Sequence, residues 1–91
     1  MPGALHSPAY DYFRVLLMEA RKDTGLTQME LSARLNHSQS FVSKYESGER
    51  RLDVVEFIKV CDALQISPDS IINQLKKEMQ HLAVLEAGHD G

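Results

Sequence analysis

The sequence contains one cysteine, Cys61, so no internal disulfide can staple it, and such usage fits a reducing cytoplasm. It has no tryptophan, and its three prolines stand at positions 2, 8 and 68, so nothing forbids helix anywhere between residues 9 and 67. No apolar run approaches the roughly 18 residues that a bilayer crossing needs, so no membrane partner is expected. The opening MPGALHSPAY lacks a basic stretch followed by an apolar one and is not expected to be a secretion signal. A glycine-rich phosphate loop is missing, as is any convincing nucleophile–base set. The four histidines, His6, His37, His81 and His89, have no ligand spacing with one another or with Cys61. These absences argue against an enzyme and against any resident metal or cofactor. Cys61 itself is expected to be a small buried hydrophobe.

What remains is a chain of 91 residues, 43% apolar and 25% charged, which is the make-up of one soluble globular domain. Its formal charge of −3 is unevenly spread. Residues 1–20 sum to −1, residues 21–51 to +2 and residues 52–91 to −4. The middle is locally basic and the C-terminal part acidic.

Punctuation residues divide the chain into five expected helices. Ser7 as cap and Pro8 at the first position open the first; Phe13, Leu16, Leu17 and Ala20 form its apolar face, and Gly25 ends it. Thr27 with Glu30 makes a capping box for the second, which carries Leu31 and Leu35 on one face and stops at Asn36. Ser32, within it, can return its hydroxyl to the preceding turn. The third is expected to start at a Ser38 cap and end at Gly48. The fourth opens on the Asp53–Glu56 capping box, with Val54, Phe57, Ile58, Cys61 and Leu64 on its core face; Gln65 leaves its end less sharply specified. The fifth opens with Ser67 and Pro68 and runs to about Ala87, before Gly88. The second and third helices are too short, and too closely joined, to lie antiparallel like a bundle hairpin. They should cross steeply, as in a helix-turn-helix.

On a helical wheel, Val42, Tyr45 and Glu46 fall on one side of the third helix. Ser40, Ser43, Lys44 and Ser47 fall on the other, with Gln39 free at the first turn. Such an outer face suits the edges of base pairs: Gln can pair with adenine, Lys can donate to guanine, and Ser can serve either. Phe41 lies at the flank, where it either packs at the domain edge or touches a thymine methyl or the sugar backbone. Gln28 sits in the first turn of the second helix, where unpaired N–H groups suit a phosphate. Arg50 and Arg51, after the Gly48 stop, should reach a flanking phosphate, and His37 in the turn can approach one. Glu46, in a last turn, opposes its helix dipole and needs a cation.

The stretch GLTQMELSARLNHSQSFVSKYESGERRLDVVEFIKVCDALQISPDSII resembles the Cro/CI-type helix-turn-helix regulators, also called the xenobiotic-response-element or lambda-repressor-like family. The resemblance spans about residues 12–72. It rests on Gly25-Leu26-Thr27-Gln28, Leu31 and Leu35, the Ser-Gln-Ser cap region, YESGER, and the close from Leu64 to Ile72. Where the family often has Ala, Gly and Gly, this chain has Ser32, Asn36 and Gln65. The resemblance implies an all-α, five-helix domain that docks on double-stranded DNA, usually as a two-fold homodimer. It implies that Gln39, Ser40, Ser43 and Lys44 read bases. DNA-backbone contacts are expected from Gln28, His37, Ser38, Phe41, Arg50 and Arg51. It also implies that Arg21 is the cation paired with Glu46.

Residues 1–91 are read as a single domain, with a core over 8–72, the helix-turn-helix motif over 27–47 and the C-terminal helix over 67–87. Ile72, Leu75, Met79 and Leu82 are spaced three, four and three apart, a short seam suited to a dimer contact. Folding of that helix back on the first is the alternative. The expected function is a sequence-specific transcriptional regulator, a small repressor of an inverted repeat. The alternative is a protein-interaction module with a protein partner, such as the antitoxin of a toxin–antitoxin pair.

Overall fold

Five α-helices make up the fold, and no strand occurs among the described residues. The structure, a computed structural model, describes residues 7–90, with side chains to residue 86; His6 and the side chain of His89 lie outside them. The helices are α1 (Pro8–Thr24), α2 (Gln28–Arg34), α3 (Phe41–Ser47), α4 (Val54–Leu64) and α5 (Pro68–Asp90). None of them is long and apolar enough to cross a membrane.

Local chemistry sets most of the boundaries. The Tyr10 N–H donates to Ser7 Oγ at 3.1 Å, and Gly25 closes α1 at φ 80°, a left-handed conformation that costs glycine little. Both capping boxes form. Glu30 N–H donates to Thr27 Oγ1 at 3.0 Å while Thr27 N–H donates to Glu30 Oε1 at 2.9 Å. At α4, the Glu56 N–H to Asp53 Oδ1 distance is 2.7 Å and the reverse bond, Asp53 N–H to Glu56 Oε1, is 3.0 Å. Asn36 and Gln65 both take positive φ, 57° and 58°. The end of α4 is therefore well defined despite lacking glycine: the Gln65 and Ile66 N–H groups close onto the Asp62 and Cys61 carbonyls.

Three expectations are corrected. Ser38 is not the cap of α3, which begins three residues later. The Phe41 N–H bonds the Ser38 carbonyl at 3.1 Å, and Ser40 stands at the cap position without a side-chain hydrogen bond. The core face of α4 is Phe57, Val60, Cys61 and Leu64, whereas Val54 and Ile58 are 68% and 49% exposed. Packing on α1 through the Phe13–Phe57 edge contact, with ring centroids 5.2 Å apart, selects the first stripe over the second. Finally, α5 continues through Gly88 to Asp90.

The core joins Phe13, Leu16 and Leu17 of α1 to Leu31 of α2, Phe41, Val42 and Tyr45 of α3, the α4 stripe and Ile71 of α5. Each such side chain contributes about 1.5–3 kcal/mol by leaving water. The α3–α4 connection is pinned to α1, because the Leu52 N–H donates to the Tyr10 hydroxyl at 3.1 Å. Most of the packing of α5 is against α1, with less against α4.

Candidate nucleic-acid interface

The placement of α3 decides what its outer side can do. Val42, Tyr45 and Glu46 are buried on its inner side, as the wheel predicts. Glu46, 3% exposed, is the hub. Arg21 Nε donates to its Oε2 at 2.7 Å and Arg21 Nη2 to its Oε1 at 3.1 Å. Gln28 Nε2 donates to the same Oε1 at 2.8 Å. Arg14 Nη1 donates to the Glu46 carbonyl, and Arg21 Nη1 to the Leu26 carbonyl. A buried carboxylate thus has three charge-assisted bonds. They tie α1, the start of α2 and the end of α3 into one block. The carboxylate beside it raises the Arg21 pKa further. Burial pushes the Tyr45 hydroxyl up as well, and that oxygen has no hydrogen-bond partner among the described residues.

On the opposite side, Gln39 and Lys44 are exposed and Ser40 and Ser43 half-buried. Gln39 and Ser40 stand in the turn leading into α3, not on its helical wheel as the Ser38 start implied. The Ser43 hydroxyl donates to the Ser40 carbonyl at 3.0 Å, which leaves its lone pairs to accept. Ser38 and His37 are exposed in the same turn, and Gln28 keeps one side-chain N–H after giving the other to Glu46.

Two backbone expectations change character. Phe41 is a core residue, 4% exposed, so its ring cannot lie along a sugar or a thymine methyl. The His37 imidazole stacks on that ring at 3.8 Å, and the Arg50 guanidinium lies over it at 5.0 Å. Arg50 is also held bidentately by Glu56, Nη1 to Oε1 at 3.0 Å and Nη2 to Oε2 at 2.7 Å. In the free protein Arg50 is therefore a brace between the α3–α4 loop and α4. The same pair, with the Asp53 N–H, holds the Glu56 carboxyl down at about 2. The Arg51 guanidinium lies 4.3 Å from the centre of the Tyr10 ring.

Sequence reasoning gave Ser32 the wrong partner and missed Arg14. Ser32 does not fold its hydroxyl back on α2; its Oγ accepts the Val42 N–H of α3 at 3.1 Å. A polar residue on the face shared by Leu31 and Leu35 was the available signal. No group of three metal-binding side chains occurs among the described residues. Cys61 is buried, and burial raises its thiol to about 11.

Along α5, Ile72 and Met79 are exposed while Leu75 and Leu82 are half-buried. Leu82 and Met79 face Pro8 and Ala9 across an open groove of about 650 Å³.

Two short capped helices, the second anchored on one side and polar on the other, define a helix-turn-helix. The family profile described as helix-turn-helix matches residues 17–71. An XRE-family like protein from Pseudomonas syringae pv. tomato str. DC3000 is 46% identical, with a TM-score of 0.74 over 77% of this chain and 85% of that one. The chain belongs to the XRE family of helix-turn-helix DNA-binding proteins, and it is a DNA-binding transcriptional regulator. Two single-site variants of the restriction-modification controller protein C.Esp1396I share the fold, each with a TM-score of 0.72, at 22% and 23% identity. They match over 81% and 82% of this chain and 99% and 95% of theirs. No curated protein matches the sequence.

Proposed function

We propose that the protein is a small repressor that reads an inverted repeat as a homodimer. The carrying observation is the two-sided burial of α3, with its inner side locked through Glu46 and its outer side exposing Lys44 beside Ser43, Ser40 and Gln39. In this reading Lys44 and Gln39 take purine edges in the major groove, Ser40 donates or accepts according to the base opposite, and Ser43 accepts. Gln28, Ser38, His37 and Arg51 approach the flanking phosphates. Arg50 joins them by exchanging Glu56 for a phosphate. The net charge of −3 is no obstacle, since affinity depends on the phosphates neutralised at the contact face.

Dimerisation through α5 is supported by the apolar side chains it leaves in water, among them Met79 at 50% exposure together with Val84 and Leu85. The seam Ile72, Leu75, Met79 and Leu82 is then completed by a second copy. Its recognition helices would lie about 34 Å apart, one turn of the duplex. Selection from random duplexes tests the proposal, repeated with Lys44→Ala and Gln39→Ala. Each variant should relax one base position at a cost of about 1–3 kcal/mol. If both retained the wild-type motif and affinity, the base-reading assignment would be wrong. A monomeric mass by light scattering at micromolar concentration would remove the dimer.

A further inference from the structure

The first N–H groups of a helix have no partner within it, and α3 starts without a side-chain cap of its own. Its opening donors go elsewhere. The Phe41 N–H takes the Ser38 carbonyl, and the Val42 N–H takes a hydroxyl from the neighbouring helix, Ser32 Oγ at 3.1 Å. Ser32 is fully buried in α2. Its carbonyl accepts the N–H groups of Leu35 at 3.2 Å and His37 at 3.0 Å. One residue therefore bonds the end of α2, the turn and the first turn of α3.

We infer that Ser32 is a positioning residue for base reading: its buried hydroxyl caps α3 from the side and sets where Gln39, Ser40 and Lys44 meet the duplex. This rests on the base reading proposed above. A serine inside a helix ordinarily bonds its own preceding turn; here that bond is given to a different helix. The acceptor is indispensable at this place, because a buried N–H left unpaired loses its solvation without return. A helix of seven residues has little cooperativity to hold its own first turn. Gln39 and Ser40 immediately precede that turn, so they move with it. Base-edge hydrogen bonds fail when donors drift by a fraction of an ångström, whereas phosphate contacts tolerate such drift. Loss of the cap should thus weaken selective binding more than general attraction to DNA.

The test uses the full chain and Ser32→Ala, which removes only the hydroxyl. Dissociation constants are measured for the selected operator and for a random duplex at one salt concentration. Amide exchange at Val42 is followed alongside. Operator affinity should fall about tenfold while random-duplex affinity changes by less than about twofold, with Val42 protection reduced. Ser32→Cys keeps the shape and a weak acceptor and should fall between wild type and Ser32→Ala. Val60→Ala, a core change in α4, should lower the melting temperature and leave the operator-to-random ratio of the folded protein unchanged. An unaltered ratio in Ser32→Ala, or equal behaviour of all the Ser32 proteins, overturns the inference. Failure of Lys44→Ala and Gln39→Ala to alter base preference would instead overturn the function on which it rests.

Discussion

Arg21→Ala should be among the most damaging single changes in the protein, although it lies outside the base-reading face. Glu46 is 3% exposed, and Arg21 supplies two of the three side-chain hydrogen bonds to its carboxylate. Removal of Arg21 leaves the charge buried against Gln28 alone. Breaking a buried pair from one side costs about 3–5 kcal/mol. For a domain of this size the melting temperature moves by about 4–8 °C per kcal/mol, so a fall of roughly 12–40 °C is expected. That loss is a large part of the total stability of a small domain, about 5–15 kcal/mol. Thermal and urea unfolding of Arg21→Ala, Glu46→Leu and the double variant Arg21→Met/Glu46→Leu provide the assay. The double variant should recover most of the loss, because the cost comes from the unpaired charge and not from the missing contact. A decrease below about 1 kcal/mol in Arg21→Ala, the size of an exposed pair, would refute this account. So would a double variant no more stable than Arg21→Ala.

Phe41→Ala should cost about 3–5 kcal/mol in urea unfolding, the range for a buried aromatic ring. Glu56→Gln should release Arg50, raising affinity for a random duplex and steepening the salt dependence by about one phosphate contact in a titration series. Glu56 is held near 2 when folded against an ordinary 4.5, so its contribution is full above pH 4.5 and lost as pH falls toward 2. Partial exposure limits that loss to about 1 kcal/mol, to be read in the pH dependence of the unfolding free energy, which Glu56→Gln makes less steep. Gln65→Gly should stabilise by up to about 1 kcal/mol in the same unfolding assay, because the position already holds φ 58°.

The fold was legible wherever a boundary depends on residues three or four apart. Thr27 with Glu30, Asp53 with Glu56, and the glycines at 25 and 48 each act locally, so their outcome does not wait for the tertiary structure. The face of α4 was legible at Phe57, Cys61 and Leu64 but not at its edge, because Val54 and Ile58 repeat with the same helical period as Val60 and Leu64. Only the position of Phe13 on another helix breaks the tie. The start of α3 was misread for a related reason: a serine cap looked necessary at position 38, yet the Phe41 N–H goes to the Ser38 carbonyl and the Val42 N–H is answered from α2. Arg50 looked available for phosphate because Glu56 had already been assigned to its capping box. Its carboxylate does both, with lone pairs to spare for a guanidinium six residues away.

The long C-terminal helix also governs how the molecule moves through solvent. The chain, measuring 49 × 30 × 21 Å, has a radius of gyration of 14.4 Å, against about 12 Å for a sphere-like chain of the same length. Such a rod-ended particle drags more water than its 10.3 kDa implies and leaves a sizing column early. Elution volume alone would therefore make a single chain look larger than it is, and only a shape-independent mass can count chains in solution.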